Sequence, residues 1–434
     1  MDKMADVLGR AGAWCGQNKY LSAIKNAFQN FMPLTIAGAI GVLWCNVLVN
    51  DQTGLGLFFK PIMALDFLNP AFQAVNFCTI SCITVGITLG IAQEIGVWNM
   101  GAERAGYIPG LVGLAAWLSV TNTSHMVDGA KEAFTGIAGN ELGATGLFTG
   151  MIIGVLSVEL FCFFEKQDAL KIKMPEQVPP GVARAFEVLV PATITLIITA
   201  CIGSACYNLT GLYLNDVIKN GIQGPLGAVG ATIPGVMIIY LVIMLFWLVG
   251  IHGNNMLSAV KEALFTPLAL ENVEAFNKHQ TPKNIINMYA LQMWGEFGGS
   301  GVTIGLVIAI MIFGKREDNK AIATLSLVPG LFNINETVTF GIPMVLNPIL
   351  GIPFVVAPLI TIIIGYVLTV IGFCPVACLT VPWTCPPIVF GFLACGANVM
   401  GAVTQAILIV VSTVIYVPFL ISYEKYQNKQ AVEA

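Results

Sequence analysis

Long apolar stretches, interrupted by glycine, proline and short polar loops, follow one another along almost the whole chain. A segment that crosses a bilayer as a helix needs about 20 apolar residues, because lipid offers no hydrogen-bond partners to an open backbone. The pattern predicts helices over 29–50, 70–92, 105–121, 146–164, 188–207, 226–250, 300–314, 349–373 and 393–421, with further apolar stretches near 285–297 and 322–347. We therefore expect an all-α polytopic membrane protein with about ten transmembrane helices.

Glycine and proline interrupt the apolar pattern most often in the second half of the chain. The breaks fall in GIQGPLGAVGATIPG, GEFGGSG, NPILGIP and VPWTCPPIVFG. Broken helices at membrane depth are tolerated only where they are buried in protein or line a wet cavity. We therefore expect re-entrant backbone in the second half, next to a polar site.

Composition excludes two classes of protein. Of the 434 residues, 56% are hydrophobic and 10% are charged, whereas roughly 25% are charged in an ordinary soluble protein. This composition excludes a water-soluble globular protein. The net charge of −4, with no basic cluster, excludes a nucleic-acid-binding protein, because phosphate contacts need concentrated Lys and Arg. The eleven cysteines lie mostly in apolar runs, where a thiol behaves as a small hydrophobe. We expect no disulfide framework, no metal site and no cofactor.

The basic residues of two short loops predict the orientation, because Lys and Arg in short loops stay on the cytoplasmic side. These residues are Lys166, Lys171, Lys173 and Arg184 in the first loop, and Lys315, Arg316 and Lys320 in the second. The stretch 121–143 between the apolar runs carries more acidic than basic residues and is predicted to lie outside. Both termini are then expected in the cytoplasm.

One carboxylate stands out in the second half. Between Lys320 and Glu424 the only Asp, Glu, Lys or Arg is Glu336, in LFNINET. A charged residue at the centre of a membrane helix raises the free energy of membrane insertion by about 2.5 to 3.5 kcal/mol. An ionisable residue in such a helix therefore indicates a functional site. The amides of Asn333 and Asn335 flank it and would form a polar pocket with it. The alternative is a neutral carboxyl that hydrogen-bonds to a neighbouring helix.

His252 is the second candidate, in FWLVGIHGNNML. No Asp, Glu, Lys or Arg lies between Lys219 and Lys261. A lone histidine in an apolar run is often a satisfied core residue, but the flanking glycines and Asn254 suggest backbone that opens onto a polar cavity. Together His252 and Glu336 would suit a sugar hydroxyl, which donates and accepts hydrogen bonds.

Two further segments are candidate binding elements. Gly299 and Ser300 belong to GGSG, which permits a tight turn and a close backbone approach; a merely flexible turn is the alternative. Trp383 lies among three prolines in VPWTCPP, and it is either an interfacial tryptophan or a platform for the C–H face of a sugar. Glu296, just before the glycine turn, could be embedded in the membrane.

At these motifs the chain resembles the membrane-embedded IIC component of the bacterial phosphoenolpyruvate-dependent sugar phosphotransferase system, in its lactose/cellobiose/diacetylchitobiose family. The resemblance runs nearly end to end. It rests on the order of KYLSAIKNAFQNFMPLTIAG, LGATGLFTGMIIGVLSVEL, GIHG, GGSG, LFNINET and VPWTCPPIVFGFLACG. Thr337, Asn254, Asn255 and Glu296 depart from the family pattern, which bears on the choice of sugar.

The resemblance implies a homodimer in the bacterial inner membrane. Residues 1–222 would form an interface half, and residues 223–434 a transport half that holds the sugar between two re-entrant hairpins. Glu336 and His252 would act at the hydroxyl that is phosphorylated by a phosphocysteine of a separate IIB protein. From the residues themselves, we expect that the disaccharide is bound by Asn254, Gly299, Ser300, Asn333, Asn335 and Trp383. The alternative from the residues alone is a proton-coupled secondary sugar transporter in which Glu336 titrates.

Overall fold

Helices account for 76% of the computed structural model, which describes residues 10, 14, 17–51, 55–125, 134–175, 177–342 and 344–433. The chain forms two compact units. One comprises Gln17–Gly41 and Ala71–Gly227, and the other comprises Val42–Pro70 and Ala228–Ala434.

The elements up to residue 230 are mostly helical. In chain order they are α1 (Lys19–Leu43) with a π-helical segment (Trp44–Leu48), 3-10 segments (Leu55–Leu57 and Lys60–Leu68), α2 (Asn69–Asn76) with a π-helical segment (Phe77–Ser81), α3 (Ile83–Met100), α4 (Ala102–Ala105), α5 (Ile108–Val120), β1 (Ser124–His125), β2 (Phe134–Thr135), α6 (Gly139–Leu142), α7 (Ala144–Glu165), a 3-10 segment (Asp168–Leu170), α8 (Pro180–Thr210), α9 (Leu214–Ile218), a π-helical segment (Lys219–Gln223) and α10 (Gly224–Gly230).

The remaining elements are helices of very unequal length. They are α11 (Ile233–Leu248), α12 (Gly253–Asn277), α13 (Met288–Gly295), α14 (Ile304–Phe313), α15 (Glu317–Leu331), α16 (Glu336–Gly341), α17 (Gly351–Val370), α18 (Val389–Ala394) and α19 (Val399–Glu433).

Helices α3, α5 and α7 pack against one another in the first unit. Small residues let their backbones approach closely, as is usual between membrane helices. A Cβ atom added at Gly150 of α7 would lie 2.2 Å from Thr88 Oγ1 of α3, and one added at Gly113 of α5 would lie 2.3 Å from Ala92 Cβ. These glycines therefore set the distance between the three helices.

Helix α14 packs against α19 in the second unit, and α17 packs against both α11 and α19. The loop between α14 and α15 is tied to α19 by Glu424, whose carboxylate accepts hydrogen bonds from the Lys315 and Arg316 backbone N–H groups at 2.8 and 3.3 Å. In the same loop, the Arg316 guanidinium hydrogen-bonds to Asp318. This hydrogen bond lowers the pKa of the Asp318 carboxyl below its ordinary value.

Five helices are long and apolar enough to cross a membrane, by length and composition, among the residues that the structure describes. They are Lys19–Leu48, Ala144–Glu165, Pro180–Thr210, Gly351–Val370 and Val399–Gln430. The segments Lys60–Ser81 and Ile83–Met100, bent by 42° at their junction, would add a sixth if they form one span. Three further apolar helices, α5, α11 and α14, are shorter.

The sequence does not predict helix α12 or a short β-ribbon, and the predicted stretches 226–250 and 322–347 are each broken in the structure. Helix α12 runs for 25 residues where no helix is predicted, because its four charged residues interrupt the apolar pattern. Residues Ser124–His125 and Phe134–Thr135 pair as a short antiparallel ribbon, the one pair of strands in the described part of the chain. Within the stretch predicted to lie outside, residues 126–133 are not among the described residues.

Candidate functional site

The backbone at the start of α12 fixes the orientation of His252. The His252 side chain caps the helix, and its Nδ1 atom accepts a hydrogen bond from the Asn255 backbone N–H at 3.2 Å. Because Nδ1 accepts, the neutral ring carries its hydrogen on Nε2. The Trp247 ring packs against the imidazole, with the two centroids 4.4 Å apart. His252 therefore presents an N–H donor in a defined direction.

Glu336 lies opposite that donor. It is the first residue of α16, and its Oε1 atom lies 3.7 Å from His252 Nε2. The two side chains are 44% and 37% exposed. Their separation is longer than a hydrogen bond, and it leaves both polar edges within reach of one hydroxyl group. The structure therefore brings together the two residues that the sequence predicts as the reactive pair.

The glycine turn lies next to the asparagines that flank Glu336. Gly299 has a φ of +87°, and a Cβ atom added there would lie 2.7 Å from Asn335 Cγ. The Asn335 side-chain amide donates to the Ser300 carbonyl oxygen at 2.8 Å, and Asn254 Nδ2 donates to Ser300 Oγ at 2.9 Å. Only glycine fits Gly299, because it combines a left-handed conformation with a close approach.

Asn333 connects the turn to the proline-rich segment. It has a φ of +62°, and its Oδ1 atom accepts a hydrogen bond from the Gly298 backbone N–H at 2.6 Å. Its Nδ2 atom donates to the carbonyl oxygens of Trp383 and Cys385, at 2.5 and 3.1 Å. The Trp383 residue is 44% exposed. All eight residues predicted to form the site thus belong to one connected region of a single unit.

Sequence reasoning missed several neighbours of the site. Trp247, which packs on His252, lies inside an apolar run and gives no sequence signal. Lys261 forms a buried ion pair with Glu296, and Tyr240 donates a hydrogen bond to Glu296 Oε1 at 2.7 Å. Lys261 and Glu296 each lie next to long apolar runs of the sequence, which was the signal that could have indicated this pair.

The residues that depart from the expected motif have different environments. Asn255 contacts His252 through its backbone N–H, which any residue except proline would supply. Asn254 contributes a side-chain hydrogen bond, and its Oδ1 atom is buried without a hydrogen-bond partner among the described residues. Nothing in the structure explains Thr337. Across the described ranges, no group of three or more His, Cys, Asp or Glu side chains could hold a metal ion.

Comparisons with known proteins agree on one family. A family model described as "Phosphotransferase system, EIIC" matches residues 25–358. The chain is 32% identical to the "PTS system oligo-beta-mannoside-specific EIIC component" of Bacillus subtilis (strain 168), over 100% of this chain and 97% of that protein. It is 30% identical to the "PTS system cellobiose-specific EIIC component" of Lactococcus lactis subsp. lactis (strain IL1403), over 98% of both proteins.

A solved structure has the same fold. It is described as the crystal structure of the transporter ChbC, the IIC component from the N,N'-diacetylchitobiose-specific phosphotransferase system. The TM-score is 0.88 at 29% sequence identity, over 96% of both chains.

Proposed function

The chain belongs to the EIIC family of the phosphotransferase system, and on that premise we propose that it binds a disaccharide at the His252–Glu336 pair and carries it across the membrane for phosphorylation by a separate IIB protein. It is an integral membrane protein of a bacterium and a sugar permease of this family. The names of two relatives, which specify cellobiose and N,N'-diacetylchitobiose, support a disaccharide as the substrate.

The observation that carries the proposal is the 3.7 Å separation between His252 Nε2 and Glu336 Oε1. A sugar hydroxyl between them would donate a hydrogen bond to the carboxylate and accept one from the imidazole N–H. Both contacts would hold the hydroxyl oxygen in place. Glu336 would take its proton as the new P–O bond forms and the P–S bond to the IIB cysteine breaks, which leaves that cysteine as a thiolate. Phosphoryl transfer depends mainly on such positioning.

The surrounding groups supply the contacts that the rest of a disaccharide needs. The Oδ1 atom of Asn254 is a buried acceptor with no partner in the described parts of the chain. It would accept a hydrogen bond from a sugar hydroxyl, because buried polar atoms are rarely left without a hydrogen bond. Gly299 and Ser300 would bring backbone close to the sugar, and Asn333 and Asn335 would hold that backbone in place. The exposed indole of Trp383 would stack on a sugar ring.

The broken helices support two re-entrant hairpins around this site. Helices α13 and α14 have 8 and 10 residues, so at about 1.5 Å per residue each is far shorter than a bilayer core of about 30 Å. The six-residue helix α18 follows a long non-helical segment and would belong to the second hairpin.

We extend the proposal to the architecture that goes with this function. The chain would have about ten spans and both termini in the cytoplasm, and it would form a homodimer through residues 1–222, while residues 223–434 would carry the sugar. Residues 17–41 and 71–227 form one of the two compact units, whereas residues 42–70 group with residues 228–434 in the other. Most of the proposed interface half therefore lies in a different unit from residues 228–434. The partners are a disaccharide, a phosphorylated IIB protein and membrane lipid.

The test is uptake into sealed membrane vesicles that contain the chain, with a matching phosphorylated IIB protein on the cytoplasmic side. We expect phosphorylated sugar inside, only when IIB is present, and unchanged uptake after an uncoupler collapses the proton gradient. Free sugar inside, with uptake abolished by the uncoupler, would instead show a proton-coupled transporter. Vesicles without the chain provide the baseline for leakage.

A further inference from the structure

Three polar side chains that the proposed reaction does not use meet beside the site. Tyr240 on α11 donates its hydroxyl hydrogen to Glu296 Oε1 at 2.7 Å. Lys261 on α12 forms an ion pair with the same oxygen, and its ammonium nitrogen lies 5.5 Å from the centroid of the Tyr240 ring. Glu296 follows α13 directly. The cluster therefore links three helices through one carboxylate.

The cluster is withdrawn from solvent. Tyr240 is fully buried, and the side chains of Lys261 and Glu296 are 7% and 16% exposed. Taking two charges out of water is costly, so a buried ion pair is weak evidence of a gain in stability. A hydrophobic pair of similar volume would pack there as well. The ion pair thus calls for a reason other than packing.

The backbone of Glu296 supplies that reason, because it begins the glycine turn of the site. The Glu296 carbonyl oxygen accepts a hydrogen bond from the Gly299 backbone N–H at 3.0 Å. Gly298 donates to Asn333, and Ser300 accepts from Asn254 and Asn335. The side chain of Glu296 is thus anchored on α11 and α12, while its carbonyl sets the first bond of the turn.

We propose that Lys261 and Tyr240 are positioning residues that act through Glu296 to hold the Gly298–Gly301 turn where a bound disaccharide contacts it. This inference rests on the proposed function and adds three residues that support the same site without contacting the sugar. None of the three side chains needs to touch the sugar. Their contribution is the place of the turn backbone relative to Asn254, Asn333 and Asn335.

A merely structural role predicts a different result. If the cluster served only to stabilise the fold, its loss would reduce the number of folded binding sites without changing the affinity of those that remain. A positioning role raises the dissociation constant for the sugar at an unchanged number of sites per folded chain. Measuring stoichiometry and dissociation constant together therefore separates the two roles.

The experiment measures disaccharide binding to the purified full chain, alongside thermal unfolding. The probe is the sugar among cellobiose, lactose and N,N'-diacetylchitobiose that the unaltered chain binds most tightly. The variants are Lys261→Met, Glu296→Gln and the double variant, with Tyr240→Phe as a mild change that removes only the hydroxyl group. The control pair is Glu274→Gln and Lys278→Met, which removes an exposed ion pair of the same α12 region.

We expect each single variant at Lys261 or Glu296 to weaken binding more than about tenfold at constant stoichiometry, because each removes the ion pair that anchors Glu296 on α12 and so releases the turn. The double variant should bind more tightly than either single one, since it leaves neither member of the Lys261–Glu296 pair without its partner. Tyr240→Phe should weaken binding about threefold, in keeping with the loss of one hydrogen bond. The control pair should bind like the unaltered chain.

Two results would overturn the inference, and they are distinguishable. Unchanged dissociation constants in the Tyr240→Phe and Glu296→Gln variants, with or without a lower unfolding temperature, would leave the proposed function intact and show that the cluster does not position the turn. An unaltered chain that binds none of the three sugars would contradict the proposed function itself, and the inference with it.

Discussion

Glu336 and His252 have separable roles at the scale of single residues. The carboxylate is the acceptor in the proposed geometry, and the imidazole Nε2–H is the donor, because Nδ1 is occupied by the Asn255 backbone N–H. Glu336→Gln keeps the size of the side chain and its carbonyl oxygen but removes the charge and the basicity. The two functions of this site, binding and proton acceptance, should therefore be lost to different extents.

We predict that Glu336→Gln binds the sugar with only a modest loss of affinity but slows phosphorylation at least about 100-fold, as expected when a general base is removed. His252→Ala should lose both binding and phosphorylation. The measurements are sugar binding to purified protein and sugar-phosphate formation with phosphorylated IIB. Glu317→Gln, at a side chain that is 87% exposed, is the matched control. Full phosphorylation by Glu336→Gln would contradict the role assigned to the carboxylate.

A substitution at Trp383 tests whether the indole ring contacts the sugar. Its carbonyl oxygen accepts from Asn333, so Trp383→Ala leaves that backbone contact in place and removes only the ring. We predict that binding weakens by about 1 to 3 kcal/mol, by analogy with the stacking of bases on aromatic side chains. Trp98→Ala, which removes another exposed tryptophan, should bind normally. An unchanged affinity of the Trp383 variant would indicate an interfacial tryptophan.

The glycine turn is the element on which the site depends most. Gly299 and Gly372 both have positive φ angles, +87° and +79°, but a Cβ atom would meet Asn335 at Gly299 and open space at Gly372. An alanine in the left-handed region costs roughly 1 to 2 kcal/mol at either position. We predict that Gly299→Ala also abolishes sugar binding, whereas Gly372→Ala lowers only the unfolding temperature. Equal binding by the two variants would show that the turn does not shape the site.

The elements themselves show how far the apolar pattern predicts this fold. Helices α7 and α17 are uniformly apolar, and the structure has them within a few residues of the predicted bounds. Helix α12 was missed because Lys261, Glu262, Glu271 and Glu274 remove the pattern on which the prediction relies. The buried charge of Lys261 leaves no periodic signal, because its partner Glu296 lies outside the helix.

The site follows the same logic. Glu336 and His252 could be found from the sequence because each is an isolated polar residue in an apolar stretch. The contacts among Gly298, Ser300 and the asparagines could not, because residues about 35 to 50 positions apart meet only after the chain has folded. The sequence therefore predicts which residues are unusual, and the structure adds which of them share a site.

The orientation of the whole molecule is the last prediction, and it follows from the distribution of basic residues. The loops that contain Asp168 and Glu317 carry the Lys and Arg that should remain in the cytoplasm, while exposed Ser124 lies on the stretch predicted to face outside. Asp168→Cys, Glu317→Cys and Ser124→Cys leave every basic residue in place. Each is introduced into a chain whose eleven natural cysteines have been replaced.

A membrane-impermeant maleimide then reports the side on which each cysteine lies. We predict that intact cells label Ser124→Cys alone, and that inside-out vesicles label Asp168→Cys and Glu317→Cys alone. The side chains at the two positions predicted to face the cytoplasm are 83% and 87% exposed. Both cysteines should therefore be accessible to the reagent. Labelling of all three positions from the same side would contradict the orientation, and with it the side on which IIB must meet the sugar.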